Sequence, residues 1–271
     1  MPELPEVETT RRGIAPALIG RRVVHAIVRE RRLRWPIDRH FEAAIEHQWV
    51  RRGERRAKYI LIGFDAGTLI LHLGMSGSLR VLDAAVPPKL HDHWDIVLDS
   101  GKVLRFHDPR RFGSAHWVEG NPLEHKLLAK LAPEPLSDAF DADYLYRATR
   151  KRAVAIKLFI MNSQVVVGVG NIYASEALFR AGISPRRAAR RITRAQGQAL
   201  TQAIKDVLAE AIEIGGTTLR DYVNADGLPG YFRQKLFVYE RDGQACRVCK
   251  SPVKQFVQGQ RSTYWCSVCQ R

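Results

Sequence analysis

Apolar positions alternate in short runs along the first half of the chain and recur at three- and four-residue intervals along the second. Arg22 to Arg29 carries Val23-Val24 and Ile27-Val28 and reads as a strand, followed by an exposed basic turn from Arg29 to Arg34. The runs Ala57 to Phe64 and Thr68 to Leu73 flank Asp65-Ala66-Gly67, a hairpin signature. A second hairpin follows, with Trp94 to Leu98 and Val103 to Phe106 joined through Asp99-Ser100-Gly101-Lys102. Short strands at close intervals, ending near Trp117-Val118, predict an antiparallel sandwich or barrel rather than an alternating parallel sheet. Ahead of them, Pro5 suits the first position of a helix and keeps Leu4 extended, while Arg11, Arg12 and Gly13 supply the cations and the stop of a helix end.

The pattern changes at about Asn121. Pro133, Pro135 and Ser137 interrupt it, and the interdomain linker is placed at Ala132 to Ser137. Ala153 to Met161 is densely apolar, and Ile172 to Ala181 ends at Gly182 and Pro185. With Val165 to Asn171 between them, the segment reads as helix, two turns, helix. A later helix opens on Thr193 and Gln196 in capping-box relation, carries Leu200, Ile204, Leu208 and Ile212 as one core stripe, and stops at Gly215-Gly216. The expectation is therefore an α+β protein. It has an N-terminal antiparallel β-sandwich with an N-terminal helix over 1–131 and a linker over 132–137. A helical domain with a helix-two-turn-helix over 138–236 and a zinc finger over 237–271 follow.

The finger rests on the cysteines. All four fall near the C-terminus as Cys246-x2-Cys249-x16-Cys266-x2-Cys269, the spacing of a four-thiolate zinc site. Two disulfides are the alternative, but two-residue knuckles suit a tetrahedral metal better and nothing suggests secretion. A closed four-cysteine set leaves no open position, so the metal is expected to be a single structural Zn2+.

Charge narrows the partner. The 271 residues carry 43 Lys and Arg against 28 Asp and Glu, a formal +15, and 45% are hydrophobic, so the chain is globular with a field that favours a polyanion. No long apolar run, lipidation motif or signal-like start appears. The expectation is a cytoplasmic monomer that binds nucleic acid and no membrane.

The first six residues are where chemistry concentrates. Removal of Met1 would leave Pro2 as a secondary amine on a rigid ring. An α-amine titrates about two units below a lysine, so much more of it is neutral and nucleophilic near pH 7. Glu3 and Glu6 flank the helix start beside it. Carboxylates there also serve simply as helix-terminus residues, and the residues alone favour that plainer reading.

The run PELPEVETTRRG, with VVVGVGNIYASEALFRAG and the finger segment Gly259-Gln260-Arg261-Ser262-Thr263, resembles the formamidopyrimidine-DNA glycosylase family across nearly the whole chain. Those are bifunctional enzymes that excise oxidised purines from DNA and act as AP lyases. The resemblance implies that Pro2 is the nucleophile, that Glu3 handles protons at the sugar and that Glu6 aligns the charged intermediate. It makes Lys58 a phosphate or lesion contact and Arg261 a phosphate contact beside the lesion. It further implies that Asn171 binds phosphate, that Glu176 faces the lesion pocket, and that His72 and His91 are DNA contacts.

In His107-Asp108-Pro109-Arg110-Arg111-Phe112-Gly113, a family-like run, Arg110, Arg111 and Phe112 join Met75 as residues facing DNA. Met75, Arg110 and Phe112 are expected to fill the gap left by the extruded nucleotide. Asn162 departs from the aspartate that related sequences often carry there. Leu4 favours the oxidised-purine branch over the related endonuclease VIII branch, which prefers oxidised pyrimidines. The expected partner is double-stranded DNA containing oxidised purines or abasic sites. A docking protein without catalysis is the rival, and it would have no use for a free proline terminus.

Overall fold

The computed structural model of the chain describes residues 1–216 and 232–271. Its first helix, α1 (Leu4–Leu18), begins with Pro5 in the second position, one residue earlier than expected. It also passes through Gly13 and Pro16, where the sequence suggested a stop. Ile14 and Leu18 are 1% and 3% exposed, and their burial outweighs the roughly 1 kcal/mol by which a helical glycine is disfavoured. Arg11 and Arg12 are accordingly not terminal cations. Both donate to Glu8, at 2.7 Å and 2.8 Å.

Eight strands follow in one compact unit that spans Met1–Ala129 with residues 214–216. They are β1 (Val23–Val28), β2 (Val50–Arg56), β3 (Tyr59–Phe64), β4 (Thr68–His72), β5 (Ser78–Asp83), β6 (Asp92–Leu98), β7 (Lys102–His107) and β8 (Ser114–Val118), with a short helix α2 (Phe41–Ile45) between β1 and β2. They pair antiparallel in two four-stranded sheets, ordered β1-β6-β7-β5 and β2-β3-β4-β8. One apolar cluster joins both sheets and both helices, drawing Val7 and Ile14 from α1, Phe41 and Ile45 from α2, Ile60, Leu69 and Leu71 from one sheet, and Trp94, Leu104 and Phe106 from the other. The sandwich is thus as expected. Both expected hairpins are present, as β3-β4 and β6-β7.

Two strands and a helix were not legible. β2 (VRRGERR) and β5 (SLRVLD) each lie at a sheet edge, where one side of the backbone is unpaired and polar side chains hide the alternation. The basic stretch expected as an exposed turn at 29–34 buries Leu33, which joins Ile37 and α2 in the core. The other face of the β1-β6-β7-β5 sheet is polar and still buried. There Arg105 grips Asp95 through two bonds of 2.8 Å, and Arg29 adds a third of 2.5 Å to the same carboxylate. Burial alone would raise the Asp95 pKa, but these guanidiniums hold it below the ordinary value.

The second unit comprises Lys130–Glu213 and Phe232–Arg271. It contains α3 (Ala142–Thr149), α4 (Ile156–Ile160), α5 (Asn171–Arg180), α6 (Arg194–Glu213) and the hairpin of β9 (Lys254–Gln258) with β10 (Arg261–Trp265). α4 is shorter than the Ala153 to Met161 run, because Ala155 is extended and Val154 is exposed. α6 opens as expected, with Gln196 N–H donating to Thr193 Oγ1 and Thr193 N–H to Gln196 Oε1, each at 3.2 Å. Leu200, Ile204 and Leu208 are fully buried, as the stripe required, while Ile212 in the last turn is only half-buried. Asn162 caps a turn, its Oδ1 accepting from Gln164 N at 2.9 Å, a role asparagine fills as well as aspartate. Among the described residues no helix is long and apolar enough to cross a membrane.

Candidate active site

Pro2 is buried, and Glu3 and Glu6 are 3% and 0% exposed. The Glu3 N–H donates to Glu6 Oε2 at 2.8 Å, so Glu6 reaches back across the first turn of α1 and fixes the backbone on which Glu3 and Pro2 stand. Burial holds the Met1 α-amine below its ordinary pKa; Glu3 and Glu6 pull it up, while Lys58 and Arg110 push it further down. A terminus placed here is neutral more often than one in water, and two buried carboxylates stand beside it.

Lys58 sits not in the expected hairpin but in the tight turn between β2 and β3, after Ala57 at φ +56. His72 closes β4 and faces Tyr59 across the β3-β4 pair, ring centroids 5.0 Å apart. Gly74 N–H donates to His72 Nδ1 at 3.0 Å, which leaves the neutral ring's proton on Nε2. Burial lowers the His72 pKa to about 4, with Lys58 and Arg34 adding to the shift, so the ring is neutral at physiological pH.

Met75, Arg110 and Phe112 are on loops that meet. Gly74 has φ +69, and a Cβ there would lie 2.5 Å from the Phe112 carbonyl carbon and from Gly113 N, so only glycine lets the two loops approach this closely. The Arg110 guanidinium lies over the Phe112 ring, 4.9 Å from its centroid. Met75 and Phe112 are 37% and 40% exposed, which removes the alternative that they are core. Arg111, at φ +57, is engaged by Glu30 at 3.3 Å. His91, at φ +72, lies with its ring 6.3 Å from His93 and 6.1 Å from His107.

In the second unit Asn171 opens α5 after Gly168 at φ +79 and the extended Gly170. Its Nδ2 donates to Ser262 O at 3.0 Å, and its Oδ1 accepts from Lys157 Nζ at 2.6 Å. Lys157 is fully buried and also donates to Thr263 Oγ1 at 2.8 Å and Ser262 O at 3.2 Å. Two helices thereby clamp the first residues of β10, where the exposed Arg261 follows a turn through Gly259 and Gln260, both at positive φ. Glu176 does not face an open pocket. It is 1% exposed, and its carboxylate accepts the N–H groups of Phe237, Val238 and Tyr239 at 2.8–2.9 Å. Burial raises its pKa despite those three bonds.

The four cysteine sulfurs lie within 4.8 Å of one another, with 3.9 Å from Cys246 to Cys269 and 3.3 Å from Cys249 to Cys266. Sulfurs at the corners of a zinc tetrahedron with bonds of 2.3 Å stand about 3.8 Å apart, so the set fits one zinc ion and leaves no position for a reactant. Val238, Val253 and Tyr264 pack with Phe179 of α5 around this cluster, which ties the finger to the helices.

Residues 1–115 match the formamidopyrimidine-DNA glycosylase N-terminal domain, and residues 131–223 match the formamidopyrimidine-DNA glycosylase H2TH domain. Residues 243–271 match the zinc finger found in FPG and IleRS. The chain belongs to the formamidopyrimidine-DNA glycosylase family. A formamidopyrimidine-DNA glycosylase of Thioalkalivibrio sulfidiphilus is 62% identical over 271 residues, the whole of both chains. A Lactococcus lactis FPG variant in complex with Fapy-dG containing DNA is 28% identical, with a TM-score of 0.93 and full coverage of both chains. The Lactococcus lactis Fpg complex with an abasic site containing DNA is also 28% identical, with a TM-score of 0.93 and 99% of each chain covered.

Three residues that hold predicted site residues in place, two in the first unit and one in the second, escaped functional assignment from sequence. Lys157, Asp108 and Ser76 are all buried, and each acts on a neighbouring loop or hairpin. A lysine inside the apolar run Ile156 to Ile160 was the one available signal.

Proposed function

We propose that the protein is a bifunctional DNA glycosylase and AP lyase of base excision repair, acting on 8-oxoguanine and formamidopyrimidines in double-stranded DNA. The observation that carries this is the N-terminal turn, where buried Pro2 stands beside two buried carboxylates, at a place where burial lowers the pKa of the Met1 amine that precedes it. Family membership supports it, as do relatives whose solved complexes hold Fapy-dG or abasic DNA.

Removal of Met1 exposes the Pro2 amine. Extrusion of the damaged nucleotide costs a few kcal/mol, offset by phosphate contacts from Lys58, Asn171 and Arg261 and by Met75, Arg110 and Phe112 entering the vacated stack. Pro2 N attacks C1′, the N-glycosidic bond breaks and the base leaves with the bond pair. Glu3 takes up the proton that the Pro2 nitrogen sheds on bonding to C1′ and delivers it to the sugar oxygen as the ring opens, and Glu6 holds Glu3 by accepting the Glu3 N–H. The resulting iminium acidifies the C2′ proton. Its loss expels the 3′ phosphate, and a second elimination expels the 5′ phosphate, leaving a one-nucleotide gap. Zinc, when bound by Cys246, Cys249, Cys266 and Cys269, holds the finger in shape. Four domain segments, at 1–131, 132–137, 138–236 and 237–271, complete the reading, with the protein acting as a cytoplasmic monomer.

The test is incubation with an 8-oxoguanine duplex and separately with its undamaged twin. Free 8-oxoguanine together with ends phosphorylated on both sides of a one-nucleotide gap is the expected product from the damaged duplex only. Base release without strand scission would reduce the enzyme to a simple glycosylase, and no release would refute the proposal.

A further inference from the structure

Asp108 is fully buried, yet it belongs to the exposed loop that carries Arg110 and Phe112. Its Oδ1 accepts from Ser76 Oγ at 2.9 Å and from Arg110 N at 3.3 Å, and its Oδ2 accepts from Gly113 N at 2.8 Å. Its backbone is engaged as well. Asp108 N–H donates to His91 O at 3.0 Å, and its carbonyl accepts from Arg111 N at 3.1 Å. That carbonyl also takes the Nε2–H of buried His93 at 2.6 Å, which fixes the tautomer of that ring, since a carbonyl can only accept.

One residue therefore joins three loops. The first carries Met75 next to Ser76, the second carries His91, and the third carries Arg110 and Phe112. None of the three has regular secondary structure to hold it, and the three gap-filling side chains are part-exposed at their ends. Left to its own entropy, each loop would sample many conformations, and ordering them would be charged against DNA binding. The two Asp108 oxygens accept backbone N–H groups on either side of Phe112, and Ser76 couples Met75 to the same carboxylate.

We propose that Asp108 is a positioning residue that locks the Met75, Arg110 and Phe112 loops into one preformed wedge, so that helix opening, and not the chemistry at C1′, depends on its carboxylate. The inference rests on the gap-filling role proposed above. A wedge misplaced by about 1 Å is enough to cost about 100-fold in rate. Asparagine at 108 keeps one acceptor for Gly113 N and lets Ser76 Oγ accept from its amide, but it turns an N–H toward Arg110 N. It should therefore restore part of the function that alanine loses.

The experiment compares Asp108→Ala, Asp108→Asn, Ser76→Ala and Phe112→Ala in full-length zinc-loaded enzyme. Single-turnover excision of 8-oxoguanine from duplex is measured against cleavage at a preformed abasic site, alongside melting temperature. A 2-aminopurine opposite the lesion reports insertion of the wedge. Asp108→Ala should slow excision by about 100-fold and abolish the fluorescence rise, with abasic cleavage within about threefold of wild type. Asp108→Asn should fall between, and Ser76→Ala should lose about tenfold in excision alone.

Equal losses on both substrates, or a normal fluorescence rise in Asp108→Ala, would overturn the proposal. Should Asp108→Ala fail to fold, Ser76→Ala and Asp108→Asn decide by the same split. If Phe112→Ala itself shows no split, the gap-filling reading fails. If Phe112→Ala splits the substrates and the Asp108 and Ser76 variants do not, only the positioning role is lost.

Discussion

The two units hold their candidate DNA-facing residues by different means. In the first, Pro2, Glu3, Met75, Arg110 and Phe112 stand on a helix start and on loops, and buried acids fix the backbone beneath them: Glu6 under Glu3, and Asp108 under the loops. In the second, Asn171 and Arg261 stand at the ends of regular elements, held by the buried cation Lys157 and by a four-cysteine cluster. Acids that accept backbone N–H groups set turns and loops, Glu6 a single helix start and Asp108 the loops that meet on its carboxylate. A metal knuckle and a lysine that bridges a helix to a hairpin set the place of a whole element. The first arrangement suits chemistry that depends on angstroms, and the second suits gripping a phosphate backbone whose sequence is irrelevant.

The largest expected effect is at Glu3. Glu3→Gln should slow base release by about 100-fold or more, the range for a lost general acid or base, with affinity for lesion DNA nearly intact. Rates and binding isotherms from one preparation check it, and a parallel fall of both would make Glu3 a scaffold residue. Cys266→Ala should lose the zinc and weaken lesion and undamaged DNA together by on the order of 10- to 100-fold, because the finger no longer presents Arg261. Metal analysis beside a binding titration would expose the contrary case, tight binding without metal. Arg261→Ala is milder. It should cost about tenfold on both DNAs and flatten the salt dependence by about one charge, whereas a selective loss on lesion DNA would move Arg261 into the recognition machinery.

The smallest expected effect is on stability at low pH. His72 and His116 both have pKa values lowered from 6.5 to about 4, each chiefly by burial. Between those values the unfolded chain binds protons that the native rings refuse. Stability therefore rises with pH across that window and is lost as pH falls from about 6.5 toward 4. Thermal melts from pH 7 to 4 should show the loss, with a shallower slope in His72→Gln. An unchanged slope would mean that His72 is protonated in the native state.

What the sequence disclosed follows from how local each signal is. Glycine-bearing turns between β-branched runs announced the β3-β4 and β6-β7 hairpins, and Thr193 with Gln196 announced the start of α6. The cysteine spacing was equally plain. Edge strands β2 and β5 were hidden because charged residues break the alternation in both, exposed at Arg51, Arg52 and Glu54 on β2 and half-buried at Arg80 on β5. Gly13 misled because helix propensity is a local quantity, and the burial of Ile14 and Leu18 that overrules it comes from residues far along the chain. Glu176 was expected at a pocket, but three backbone N–H groups more than sixty residues away occupy it. Asp108 stood in plain view inside a motif, next to the residues assigned to DNA. Its role depends on Ser76 and Gly113 meeting it in space, which no spacing reveals.

In the proposed reaction the chain's chemistry begins at the amine of Pro2. Borohydride reduction during reaction with an 8-oxoguanine duplex, followed by peptide mapping of the covalent adduct, tests it most directly. The expected result is a reduced sugar on the N-terminal peptide lacking Met1, attached at Pro2, and no adduct from protein that retains Met1. Attachment at Lys58 or any other lysine, or an undiminished adduct with Met1 in place, would contradict it.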